Sequence, residues 1–333
     1  VCLVGGAGVA DQTEGQSKLR MSMQTSLLKG IVPPVITPLK SRDELDVGGL
    51  EKVIEHLLSG GVHGVFALGT TGEFASLSEE MKRDVVTHVC REIKGRVTVL
   101  VGITHTSPAD SLKLARYAAD QGAHALVLST PYYFALSQVE LLEYFEKMVP
   151  QLPLPVYLYN IPACTKVSIE IDTARRALEL PNVVGFKDSS GNMGYFQQLL
   201  QLQNESNAWS LLMGPEELVG EAVLMGAQGG VCGGANLFPR LFVNLYEAAE
   251  RGDVAEVKRL QQVVMNLAST LYRTGSYGSS FVKSLKCAMS LLGLCEDAMA
   301  GPFEKFDGEH RQRVAKVLDE LDINLIRATS GPV

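Results

Sequence analysis

From residue 30 onward one pattern recurs eight times: a short apolar run, then a longer stretch with apolar residues at helical spacing. Short apolar runs bounded by Gly, Pro and Asp signals read as strands, and the intervening stretches read as amphipathic helices. The predicted strands are Ile31–Thr37, Val62–Leu68, Val97–Ile103, Ala123–Ser129, Pro155–Tyr159, Val183–Lys187, Ser210–Met213 and Gly230–Cys232. Helices are predicted over 47–59, 78–94, 108–121, 137–149, 170–179, 193–203, 216–226 and 238–250. The runs VHGVFAL, VTVLVGI and HALVLS are apolar almost throughout, as parallel strands covered on both faces must be. An open doubly wound sheet has the same alternation. Eight units without a second-domain break favour closure into a (β/α)8 TIM barrel, an α/β fold.

After residue 252 the strand pattern stops, and helices are predicted over 253–272, 281–292 and 308–323. The expected organisation is a leader at 1–28, a barrel at 29–252 and a C-terminal helical region at 253–333. The leader starts with an apolar, Gly-rich stretch that lacks the basic flank of a signal peptide. It is expected to be non-native or poorly ordered, with Met21 or Met23 as a candidate start. Its VGGAGVA run lacks the full GxGxxG spacing, and no apolar helical face follows, so it does not read as a dinucleotide site.

Composition narrows the partners. A net charge of -7, with no Lys/Arg cluster longer than two, argues against nucleic acid. No apolar run reaches the length of a membrane span. The six cysteines form no CxxC pair and the six histidines form no HxH or HxxxH pair. The cysteines therefore read as reduced thiols of a cytoplasmic protein, and no metal site is announced.

In a barrel, the residues at the carboxyl ends of the strands converge on one mouth. Those ends read Gly69-Thr70-Thr71-Gly72-Glu73, Thr130-Pro131-Tyr132-Tyr133, Tyr159-Asn160-Ile161-Pro162, Lys187-Asp188-Ser189, Gly214-Pro215-Glu216-Glu217 and Gly230-Val231-Cys232-Gly233-Gly234. Lys187 closes an apolar run, so its stem is expected to be dry. Burial disfavours an ammonium, and an amine so held becomes a nucleophile toward a ketone. Tyr159, ending the neighbouring strand, can relay protons during imine formation. The Thr70–Thr71 turn offers hydroxyls and backbone N–H groups to a carboxylate. Each feature alone has a plainer reading. Lys187 fits a lysine snorkelling from a strand end, and Tyr159 fits a rim tyrosine. The GTTGE turn fits a helix N-cap, and Glu216–Glu217 fits ordinary helix N-terminal acidity.

Taken together, GTTGE at 69–73, TPYY at 130–133, YNIP at 159–162, GFKDSSG at 185–191 and GGVCGGAN at 229–236 resemble the dihydrodipicolinate synthase/N-acetylneuraminate lyase family of pyruvate-dependent class I aldolases. The likeness runs from about Gly30 to residue 320. It implies an imine on Lys187, a proton-shuttling Tyr159, and Thr70 and Thr71 on the substrate carboxylate. It also implies that Tyr133 reaches a neighbouring subunit's site, making the protein a homo-oligomer, commonly a tetramer in the family. The small-molecule partner would be a 2-oxo acid, with no cofactor beyond the covalent imine and no metal.

The chain departs from the synthase branch where that branch carries an arginine for the aldehyde's carboxylate. Cys164 stands there instead, and a thiol lacks the guanidinium fork. Lys166, two residues on, does not substitute without a different loop. The YNIPA form looks more like the branch that cleaves sialic acid or 2-keto-3-deoxy sugar acids. By that likeness Ser189, Gly214, Glu216, Glu217 and Val231 would line the substrate site, with the acidic pair on sugar hydroxyls. Gly233 and Gly234 stand where the sialic acid enzyme has hydroxyl side chains, which argues against that substrate. The expected reaction is retro-aldol cleavage, or formation, of a 2-keto-3-deoxy sugar acid or related 2-oxo acid, with a dehydratase variant also open. The alternatives are 4-hydroxy-tetrahydrodipicolinate synthase, joining pyruvate to aspartate semialdehyde, and a non-catalytic barrel that binds a keto acid.

Overall fold

Strand β1 (Gly30–Ile31) is followed by an antiparallel hairpin, β2 (Leu39–Ser41) and β3 (Glu44–Leu45), and then by β4 (Gly64–Ala67), β5 (Thr98–Gly102), β6 (Ala125–Ser129), β7 (Val156–Asn160), β8 (Val183–Asp188), β9 (Ser210–Met213) and β10 (Gly229–Gly230). This computed structural model describes residues 27–206 and 209–321. The expected leader at 1–28 therefore lies outside the described residues, apart from Leu27 and Leu28. Eight strands lie in one sheet in the order β1-β10-β9-β8-β7-β6-β5-β4, all paired parallel, and a bridge between Pro34 and Phe66 joins its two ends. The fold is a (β/α)8 TIM barrel.

Helices connect the strands: α1 (Val47–Ser59), α2 (Glu79–Ile93), α3 (Pro108–Asp120), α4 (Gln138–Met148), α5 (Pro162–Thr165), α6 (Ile171–Leu178), α7 (Met193–Ser206), α8 (Val219–Leu224) and α9 (Pro239–Glu250). The C-terminal region adds α10 (Val254–Ser269), α11 (Ser280–Leu291) and α12 (Gly308–Glu320). Side-chain caps fix several starts. Ser78 accepts from the Met81 N–H, Ser107 from Asp110, Asp253 from Glu256 and Asp307 from His310. Ser137 and Glu140 cap α4 reciprocally.

The expected strand Ile31–Thr37 is cut short. Pro33 and Pro34 have no N–H to donate, so the regular ladder ends at Ile31. The chain nevertheless stays in register, because Phe66 N donates to Pro33 O at 2.8 Å and Val35 N to Phe66 O at 2.9 Å. The last strand is Gly229–Gly230 rather than Gly230–Cys232. The helix expected over 216–226 divides into a 3-10 turn at Glu216–Leu218 and α8, because Leu218 leaves helical geometry at φ -113 and ψ 0.

Two apolar layers hold the barrel. The outer one lies between strands and helices. In α1, Leu50, Val53, Ile54 and Leu57 are buried at helical spacing, each side chain stabilising the fold by about 1.5–3 kcal/mol. Buried residues of the C-terminal region, among them Val257, Leu260, Leu285 and Val314, belong to this same cluster. The inner layer fills the lumen with Val32, Phe66, Leu100, Val127, Tyr157, Tyr159, Leu212 and Val231. Its layering is set by strand alternation, for Tyr157 pairs with Gly185 and Tyr159 with Lys187 one layer higher. A Cβ at Gly185 would stand 2.0 Å from the Tyr157 ring, so the glycine makes room for that ring beneath the lysine.

Candidate active site

Lys187 sits on β8, the sixth barrel strand, facing the lumen and only 5% exposed. Its Nζ lies 3.9 Å from the centroid of the Tyr159 ring and 5.1 Å from that of Phe66. The stem is thus dry, and the amine meets ring faces rather than bulk water. On the same rim the Ser189 hydroxyl donates to the Tyr159 hydroxyl at 3.3 Å. Ser189 is itself placed by its backbone, whose N–H donates to Asn160 O at 2.8 Å. Gly214 gives that serine space: a Cβ there would come within 1.9 Å of the Ser189 Oγ.

Behind the strand ends a buried amide and carboxylate tie β7 to β8. Asn160 Nδ2 donates to Asp188 Oδ1 at 2.8 Å, while Asn160 Oδ1 accepts from Ile169 N at 3.0 Å. Ser190 adds two donors to Asp188, from its N–H and its hydroxyl. Burial raises the Asp188 carboxyl above its ordinary range, and the hydrogen bonds from Asn160 and Ser190 oppose that rise.

The Gly69–Glu73 turn follows β4. Its backbone closes through Gly72 N to Gly69 O and Glu73 N to Thr70 O, both 3.0 Å. The Thr37 hydroxyl donates to Gly72 O at 2.7 Å. Glu73 adopts the left-handed conformation at φ 59, a region non-glycine residues visit rarely. The turn leaves Thr71 buried and Thr70 exposed at the mouth.

Nine of the ten predicted residues line one cavity of about 290 Å3: Thr70, Thr71, Tyr159, Lys187, Ser189, Gly214, Glu216, Glu217 and Val231. Tyr133 is the exception. It is 85% exposed, stands edge to face with Phe134 at 5.0 Å, and borders a separate surface depression with Tyr132 and Glu140. The acidic pair is not equivalent. Glu216 is buried in the wall, where its Oε2 accepts from Gly234 N at 2.7 Å and the Tyr272 phenol faces the same carboxyl. Burial pushes this carboxyl up to about 7. Its carboxylate serves the wall, whereas Glu217 is only half-buried.

Residues 281 and 282 also line the cavity and escaped the reading of the sequence. Phe281 packs on Gly233, in the 3-10 turn that follows β10, where a Cβ would come within 2.6 Å of its ring, and Tyr272 stands edge-on to it at 4.7 Å. The Gly233–Gly234 pair was the available signal, since two adjacent glycines just beyond a strand mark a close approach by something else. A second, mostly apolar cavity of about 320 Å3 adjoins the first at Thr70, Tyr159 and Ile161, and Cys164, Phe74, Tyr132, Met299 and Phe303 line it. Among the described residues no group of three or more His, Cys, Asp or Glu side chains converges to hold a metal ion. No helix there is long and apolar enough to cross a membrane.

The chain is an enzyme of the class I aldolase type, one that makes or breaks carbon–carbon bonds. The sequence matches the profile of the Dihydrodipicolinate synthetase family over residues 27–321, and the chain belongs to that family. A 4-hydroxy-tetrahydrodipicolinate synthase of Methanospirillum hungatei is 30% identical over 298 residues, covering 89% of this chain and 100% of that protein. Among solved structures, a dihydrodipicolinate synthase from Bacteroides thetaiotaomicron is 51% identical, with a TM-score of 0.86 over 88% of this chain and 98% of that one. YagE, a prophage protein of the same family from E. coli K12 solved with pyruvate, is 28% identical, with a TM-score of 0.83 over 89% and 99% of the two chains.

Proposed function

We propose that this chain cleaves or forms a 2-keto-3-deoxy sugar acid, or a related 2-oxo acid, through an imine on Lys187. The observation that carries the reading is the buried Lys187 amine, 3.9 Å from the Tyr159 ring, in one cavity with Thr70 and Thr71. The threonine turn holds the substrate carboxylate and sets the C2 ketone against the amine. Attack gives a carbinolamine, and the Tyr159 hydroxyl, hydrogen-bonded to Ser189, moves the protons that let water leave. The protonated imine then accepts electrons. The C4 hydroxyl loses its proton, the C3–C4 bond breaks, and the aldehyde departs. The enamine left on Lys187 is protonated at C3, and hydrolysis of the imine frees pyruvate and the amine. The pyruvate bound to the E. coli relative supports this choice of 2-oxo acid.

Condensation of pyruvate with aspartate semialdehyde is the second reading, favoured by the names of the Methanospirillum and Bacteroides relatives. Against it, Cys164 lines an apolar cavity and brings no fork for a second carboxylate. The proposed assembly is a homo-oligomer in which Tyr133 enters the neighbouring copy's site, and the proposed setting is the cytoplasm. Borohydride reduction in the presence of pyruvate, followed by peptide mapping, tests the imine. An adduct is expected on Lys187 and none in Lys187→Ala, and labelling elsewhere would sink the assignment. A panel of 2-keto-3-deoxy acids with coupled pyruvate detection, run beside pyruvate plus aspartate semialdehyde, separates the two substrate readings.

A further inference from the structure

We infer that Glu73 and Lys286 form a positioning pair through which helix α11 sets the Thr70–Thr71 turn for carboxylate binding. The inference rests on the reading that those threonines hold the carboxylate, and it extends the functional unit from the barrel to the C-terminal region.

Glu73 ends the GTTGE motif, yet both oxygens of its carboxylate are taken up by the C-terminal region. Oε1 accepts from Lys286 Nζ at 2.7 Å, and Oε2 accepts from Ala300 N at 2.9 Å. Lys286 is wholly buried and Glu73 nearly so. Replacing such a pair by apolar side chains of similar size is often neutral for stability, whereas stranding one partner is costly. Stability alone therefore gives little reason for two charges here, and a fixed geometry gives one.

That geometry reaches the threonines along the backbone. Glu73 is held in the left-handed region, and its N–H closes the turn on Thr70 O at 3.0 Å. From the barrel side, Thr37 pins Gly72 O. Val35 O packs closely on Gly72 as well, where a Cβ would stand 2.8 Å from that oxygen. The turn is thus anchored at one end by the barrel and at the other by α11 and Ala300. Releasing the second anchor lets Thr70 and Thr71 move without touching Lys187 or Tyr159.

The test is a pair of saturation curves for borohydride trapping on Lys187, one with pyruvate and one with acetone, which has a ketone and no carboxylate. The double variant Glu73→Gln/Lys286→Met removes the pair without stranding a charge. It is expected to raise the half-saturating pyruvate concentration by about tenfold, the scale of one hydrogen bond to a charged group, and to leave the acetone curve in place. Lys286→Arg keeps the charge but shifts the donor, and a smaller rise for pyruvate alone is expected even where the double variant does not fold. Wild-type pyruvate curves in both variants, or in Lys286→Arg alone if only that variant folds, overturn the inference, as does an equal shift for pyruvate and acetone. Failure of the underlying reading looks different: wild-type enzyme would then trap acetone as readily as pyruvate, and Thr71→Val would leave both curves unchanged.

Discussion

On the proposed mechanism Tyr159 has two separable duties beside Lys187, because its ring face lies over the amine while its hydroxyl meets Ser189. Tyr159→Phe keeps the ring and removes the proton relay. Turnover is expected to fall by about 10²–10⁴-fold, while borohydride trapping on Lys187 falls much less; equal, mild losses would count against the relay. Glu216 carries a different kind of consequence. Its buried carboxyl titrates near 7, above the 4.5 of an ordinary glutamate, so the native state holds that proton more tightly than the unfolded chain does. Stability must then fall as pH rises from about 4.5 to 7, by about 3 kcal/mol, and level off above. Glu216→Gln keeps an acceptor for Gly234 N–H and removes the titration. Urea unfolding of both proteins across that range is expected to show wild type losing stability relative to the variant as pH rises, and parallel curves would refute the assignment. Lys187 and Tyr159 were legible in the sequence because each lies one residue from the end of its strand, at a mouth that the repeat itself locates. The Glu216 environment was not, since Tyr272 lies far along the chain and no local pattern joins them.

At the level of elements, the strands that read clearly were those with continuous apolar runs, and helices read to within a residue both with a side-chain cap, as in α1, and without one, as in α9. What resisted reading was geometry set by single residues. Pro33 and Pro34 silence donors inside an apolar run, so a strand by pattern becomes a bridge by hydrogen bonding. Helix α5 has only four residues, too few to show a period, and the hairpin β2–β3 hides in a charged loop. The pairing of β7 with β8 explains why a small change there should be felt at the site. Gly185 yields its volume to Tyr157 one layer below the Tyr159–Lys187 pair. Gly185→Ala is expected to destabilise the barrel by about 1–3 kcal/mol through overpacking. It should also slow trapping on Lys187, since the displaced ring supports the layer above. Calorimetry and trapping rates check both effects, and a variant with wild-type melting and wild-type trapping would mean that Tyr157 moves aside freely.

Across the whole molecule, the one predicted residue outside the cavity is also the most conspicuous surface aromatic. Tyr133, at φ 87, and its neighbour Phe134 stand 85% and 75% exposed. A backbone in the left-handed region is costly for a tyrosine, by about 1–2 kcal/mol, and within a single chain nothing at Lys187 uses it. The expense makes sense if the ring enters the mouth of a second copy beside Thr70, as the proposed oligomer requires. Mixed assemblies separate this from a purely structural role. Lys187→Ala has no nucleophile, and Tyr133→Ala has no ring to lend, so each alone should be nearly inactive. In a mixed dimer, the Tyr133→Ala subunit keeps its own Lys187 and receives Tyr133 from its partner. Co-refolding the two inactive variants in equal amounts is therefore expected to restore about a quarter of wild-type activity, since half the assemblies are mixed and each has one intact site. The recovery should vanish if the variants are mixed without subunit exchange. If Tyr133→Ala alone retains full turnover, or if the co-refolded mixture stays as inactive as its parts, the site is complete within one chain.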